Sequence, residues 1–130
     1  MTLSEPTSRA SEREPAPEGA DLARLCARML SDGRAKDVMI LDLQGLSPVT
    51  SYFVIATGTS QRQIRGIAEE IRIEMKRSGL LPLGLEGLDE SRWVLIDYAD
   101  VVIHLMSADA RSFYDLEMLW GDAPKVEWES

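Results

Sequence analysis

Residues 93–106 read WVLIDYADVVIHLM, two apolar runs rich in β-branched residues and separated by almost nothing. Trp93 to Asp97 and Asp100 to Met106 are each of strand length, and a β-hairpin is the simplest reading. With Tyr98 and Ala99 as the two central turn residues, Leu95 lies opposite Val102 and Trp93 opposite His104 on one face. Tyr-Ala is a poor pair for a type I′ turn, which leaves a one-residue register error open.

Two more strands precede the hairpin. Lys36 to Leu43 (KDVMILDL) and Ser51 to Thr57 (SYFVIAT) are nearly continuous apolar runs, as expected of strands buried on both faces, and QGLSPVT between them is a loop. Helical spacing frames these strands. Asp21 precedes Leu22, Leu25, Cys26, Met29 and Leu30, a single apolar stripe that Gly33 ends. Ser60 and Gln63 have capping-box spacing ahead of Ile64, Ile67, Ala68, Ile71 and Met75, with Gly79 as the stop. LLPLGLEGLDES (80–91) is a loop, and Ala108 to Trp120 is helical, with Phe113, Tyr114, Leu116, Leu119 and Trp120 as apolar anchors and Gly121 as its end. The fold class expected is α/β, one mixed sheet of about five strands flanked by helices.

A length of 130 residues fits one domain. Residues 1–19 hold three Pro, four Glu and three Ser with almost nothing to bury, which predicts a disordered tail, a domain over 20–124 and a short C-terminal tail over 125–130. The tail lacks the apolar core of a secretory signal and is too acidic for a transit peptide, and no apolar run approaches a membrane span. A cytoplasmic protein with no membrane partner is the expectation. The formal charge is −8, and it is unevenly placed: residues 80–130 carry eleven acids against three bases. That balance opposes binding to a phosphate backbone and favours a basic protein partner. One Cys and one His cannot build a soft-ligand zinc site, and neither a metal nor a cofactor is expected.

Three features bear on chemistry. The turn Gly58-Thr59-Ser60 leads from a strand into a helix N-terminus, a geometry that receives phosphate, but it lacks the spaced glycines and lysine of a P-loop. Combined with Asp97 and Asp100, and with Asp42 as a third acid, it would suit a magnesium-dependent nucleotidyltransferase. Against this, Asp97 and Asp100 flank a tight turn, where aspartate is a common turn former. His104 has no nucleophile or second ligand at a recognisable spacing, so a hydrogen-bonded structural or interface histidine is favoured over a general base. Cys26 sits on a core stripe. Trp93, Trp120 and Tyr114 are either covers for sheet edges or anchors for a protein partner, and Arg111 is either the intramolecular partner of Asp109, Asp115 or Glu117 or such an anchor.

GTSQRQI (58–64), GLLPLGLEG (79–87), WVLIDYADVVIHLM (93–106) and RSFYDLEMLWGDAP (111–124) together resemble the ribosomal silencing factor, or Iojap, family. The resemblance runs collinearly over about residues 20–124. It implies a nucleotidyltransferase-like fold without transferase activity, so not an enzyme. It also implies a protein that binds ribosomal protein fourteen on the intersubunit face of the large ribosomal subunit, blocks joining of the small subunit, represses translation under nutrient limitation and aids large-subunit maturation. The family's patterns land on Trp93, Asp97, Asp100, His104, Met106, Arg111, Tyr114, Leu116, Glu117, Leu119 and Trp120. Of these, Trp93, Tyr114, Leu116 and Trp120 are the expected apolar centre of a partner-binding site, with Asp100 and Glu117 orienting a basic partner. An apolar patch of this kind also lets the free protein pair with its own copy.

Overall fold

The computed structural model describes residues 16–129. Most of the expected N-terminal tail, residues 1–15, lies outside the described residues. Ten elements follow: α1 (Gly19–Asp32), β1 (Lys36–Asp42), β2 (Tyr52–Gly58), α2 (Gln61–Arg77), β3 (Gly84–Glu86), β4 (Trp93–Asp97), β5 (Val101–Ser107), α3 (Ala108–Tyr114), α4 (Leu116–Leu119) and β6 (Lys125–Val126). The strands form one mixed sheet of six in the order β3-β4-β5-β2-β1-β6, with β2 and β5 parallel at its centre and the other pairs antiparallel.

The two long helices end as their sequences direct. Ser60 Oγ accepts the Gln63 backbone N–H at 3.0 Å, while the Gln63 side chain reaches back to the Thr59 N–H rather than to that of Ser60. At the other end of α2, Gly79 takes φ +84°, and the Leu80 N–H donates to the Met75 carbonyl, the Schellman closure. For α1 the roles differ from expectation. Gly33 has an ordinary φ of −80° and Arg34 is the left-handed residue at +71°. Gly33 is required by proximity instead, since a Cβ there would lie 2.7 Å from Cγ1 of Ile67 on α2. Both helices bury one stripe against one face of the sheet, where Ile40, Val54, Ala56, Val94, Ile96, Ile103 and Leu105 form the larger core.

The opposite face carries Leu41, Leu43, Ile55 and Met106, covered by Ala110 and Leu116 from the C-terminal segment. Three sequence expectations are corrected here. The hairpin pairs Trp93 with Met106, Leu95 with His104 and Asp97 with Val102, so the central turn residues are Ala99 and Asp100, with Ala99 at φ +72°. Moving the turn by one residue moves the pairing by two, so every side chain keeps its face and only its neighbour changes. The 80–91 loop contains the short edge strand β3, which together with β6 brings the sheet to six strands. Residues 125–129 are not a tail. Val126 pairs with Ile40, the Trp128 indole N–H donates to the Val38 carbonyl at 3.2 Å, and the Arg24 guanidinium donates to the Glu127 carbonyl at 3.0 Å.

Candidate protein-docking surface

The C-terminal segment is one helix in the sequence pattern and two in the structure. Ser107 ends β5 and caps α3, its Oγ accepting the Ala110 N–H at 3.1 Å. Asp115 then adopts the left-handed conformation at φ +49°, ψ +59°, which aspartate tolerates better than most residues, and its carbonyl accepts the N–H of Met118 to start the single turn of α4. The break decides which side chains stay outside. Leu116 drops into the second core, while Phe113, Tyr114, Met118 and Leu119 are left in water, with Phe113 80% and Met118 77% exposed.

Beneath this patch the aromatic rings form a chain. Phe113 meets Tyr114 edge-on at 5.0 Å between ring centroids, Tyr114 lies on Trp93 at 4.5 Å, Trp93 is followed by His104 at 5.8 Å, His104 by Phe53 at 4.3 Å, and Phe53 by Trp120 at 6.0 Å. The Trp93 indole N–H donates to His104 Nδ1 at 3.0 Å, which places the proton of the neutral imidazole on Nε2. Burial pushes the His104 pKa down to about 4. His104 is therefore a neutral acceptor that fixes the indole supporting Tyr114, not an acid or base exposed to a substrate.

Arg111 resolves to an intramolecular role. Its guanidinium donates to both Glu117 carboxylate oxygens, at 3.4 Å to Oε1 and 3.0 Å to Oε2, to the Asp37 carbonyl at 2.7 Å and to Thr57 Oγ1 at 2.9 Å. One planar fork thus ties α4 back to α3 and pins both to the ends of β1 and β2, and such charge-assisted bonds are among the stronger ones in a fold. Glu117 retains one-third of its side-chain exposure, so it still adds negative charge to the surface.

The expected site residues consequently separate into three groups. Tyr114 and Leu119 are exposed, while Trp93, which lies against Tyr114, and Trp120, which meets Phe53, are partly exposed. His104, Met106 and Leu116 are buried and Arg111 is engaged within the fold, so as direct partner contacts they are corrected to supports. Asp100 is exposed but sits in the hairpin turn, six residues of strand away from Met106, roughly 20 Å along β5. It does not share a surface with Tyr114. Phe113 and Met118 were absent from the expected site. Phe113 read as a core anchor because an unbroken helix was assumed, and nothing in the helical spacing of Met118 marks it as outward-facing.

The arrangement needed for nucleotidyl transfer is not assembled. Gly58 is at the far end of β2 from Tyr52, whose N–H donates to the Asp100 carbonyl, so the turn and the aspartates stand at opposite ends of the sheet, roughly 20 Å apart. The Thr59 N–H is taken by Gln63 Oε1 at 2.6 Å. Asp97 and Asp42 act as turn formers, accepting the N–H of Ala99 and of Gln44.

A family profile described as "Ribosomal silencing factor during starvation" matches residues 15–130. The chain belongs to the ribosomal silencing factor family. The match reaches beyond residues 20–124 and includes β6, in keeping with its place in the sheet. Ribosomal silencing factor RsfS of Bacillus subtilis is 45% identical over 106 residues, covering 82% of this chain and 90% of that protein. The chloroplastic protein Iojap of Arabidopsis thaliana is 36% identical over 102 residues, 78% of this chain and 42% of that protein. Among solved structures, a protein of Chromobacterium violaceum superposes with a TM-score of 0.77 at 35% identity, covering 81% of this chain and 88% of that one. One from Bacillus halodurans gives 0.74 at 37% identity, over 84% and 99%. Ribosomal silencing factors are regulators of translation with no known enzymatic activity, and none of the helices described here is long and apolar enough to cross a membrane.

Proposed function

We propose that this protein binds the large ribosomal subunit in the cytoplasm, through a basic ribosomal protein on the intersubunit face, and keeps the small subunit away by occupying its place. Ribosomal protein fourteen is the partner implied by the family resemblance. The reading includes repression of translation under nutrient limitation and a part in large-subunit maturation, and it needs no catalysis. The observation that carries it is the patch of Phe113, Tyr114, Met118 and Leu119 backed by Trp93, on the acidic half of the chain. Leaving each such side chain in water forgoes about 1.5–3 kcal/mol that a partner surface would recover on covering it. Asp115, Glu117 and Asp122 on the same segment supply the complement to a basic partner and a salt-sensitive association rate. Off the ribosome, the same patch gives two copies a surface to share.

The docking unit runs from α1 through β6, with residues 1–15 dispensable. Purified protein is expected to co-sediment with large subunits and to lower the yield of joined ribosomes. Normal yield with the protein still attached would refute steric exclusion. Removal of residues 1–15 is expected to leave co-sedimentation intact.

A further inference from the structure

We infer that the groove between α1 and α2, on the sheet face opposite the Tyr114 patch, is a second docking site, which takes a basic amphipathic helix of another protein. The groove encloses about 790 Å³. Its wall on α2 is made by positions 63, 66, 67, 70, 71, 74, 75 and 78 and its wall on α1 by 25, 29, 32 and 33. This is the three-and-four spacing with which two helices receive a third. Fifteen residues separate the ends of the α2 wall, so the seam is roughly 22 Å long, about four helical turns. Leu25 and Met29 are the partly exposed apolar residues of its floor, and Ile67 lies between them and the buried Ile71 and Met75 in exposure.

Two features of these walls have no use within the fold. Gly66 is exposed in the middle of α2, where glycine is the weakest helix former after proline, yet a Cβ there would meet nothing within 4 Å. Among the described residues no neighbour requires the missing side chain, whereas a helix lying across α2 at this point would. Asp32 stands in the last turn of α1, the negative end of the helix dipole, and that turn holds no basic residue. With Glu70 and Glu74 it makes the rim acidic; Glu74 already pairs with the exposed Arg77, and no Lys or Arg lines the groove among the described residues.

This charge selects the occupant. A second copy would bring the same acids to its own groove, and residues 1–15, with three Glu and two Arg, carry the wrong sign. Nucleic acid and the acidic headgroups that give a membrane surface its charge are anionic as well. An amphipathic helix with leucines inward and lysines along its flanks satisfies both floor and rim.

The test uses the full-length protein and a synthetic peptide of about 18 residues with Leu at the i, i+3, i+4, i+7 positions and Lys between them. Saturable binding by fluorescence anisotropy is expected, with amide shifts confined to α1 and α2. Combined Asp32→Lys and Glu70→Lys substitution should weaken it about tenfold or more. Gly66→Leu, whose side chain enters open space, should keep the melting temperature and abolish binding. Equal binding by a scrambled peptide, or binding that survives both variants, would overturn the site. So would binding lost in Tyr114→Ala, which would put the peptide on the ribosome-docking patch instead.

Discussion

One face of the sheet lies under two helices of 14 and 17 residues, the other under helices of seven and four. On the first face each helix sends a regular stripe inward, and Leu30, Ile64, Ile71 and Met75 are all but inaccessible. On the second, the kink at Asp115 lets only Ala110 and Leu116 go inward and leaves four large apolar residues outside. The first arrangement uses its hydrophobic residues for stability. The second withholds part of that stability, holds the segment in place with Arg111 and a row of aromatic rings, and leaves apolar area exposed. The difference teaches that a short, broken helix is here a means of presentation rather than a weakly formed element.

This contrast can be broken from either side. On the closed face, Ile71→Ala should destabilise the fold by about 2–5 kcal/mol in urea titration, since it opens a cavity where nothing can collapse freely. A cost below 1 kcal/mol would show that this face is no better packed than the other. On the open face, His104 sharpens the picture through pH. Its folded pKa lies below the unfolded value, so the stability linked to neutral His104 is complete above about pH 6.5 and is lost as pH falls toward 4. The total is on the order of 3 kcal/mol. The His104→Phe variant should lack that component of the pH dependence in denaturation between these limits.

Arg111→Ala should cost about 1.5–3 kcal/mol and, more tellingly, raise hydrogen exchange in α4 and weaken large-subunit binding without touching the patch itself. The smallest effect on stability belongs to Phe113→Ala, expected within about 0.5 kcal/mol of the parent. Its effect on large-subunit affinity should be tenfold or greater in sedimentation, as for an interface hot spot. A stable Phe113→Ala protein that binds subunits normally would detach the patch from docking.

How much could be read beforehand follows the same division. The stripes and caps of α1 and α2, and the apolar runs of β1, β2, β4 and β5, are local patterns, and each element lies within about two residues of its expected bounds. β3 and β6, with three and two residues, have no periodicity of their own and exist because a neighbouring strand offers its edge. The hairpin turn hinges on Ala99, which carries no turn signal. Asp115 likewise enters the left-handed region without glycine, so the kink that leaves Phe113, Tyr114, Met118 and Leu119 exposed is invisible to helical spacing. Trp93, Tyr114 and Trp120 were legible through residue type, whereas separating them from the buried His104, Met106 and Leu116 needed the packing. Asp100 was misplaced for a related reason: proximity in sequence to β5 says nothing about which end of the sheet the patch occupies.

The parallel pairing of β2 with β5 has a temporal side. Tyr52 meets Val101, a partner 49 positions later in the chain, and that union also awaits the whole of α2, β3 and β4. During its own synthesis, the N-terminal half must therefore leave the ribosome with one edge of β2 bare, guarded only by its hairpin with β1, and such distant pairings form slowly. The centre of the sheet therefore closes only once β5 has been made, after every element from β1 to β4.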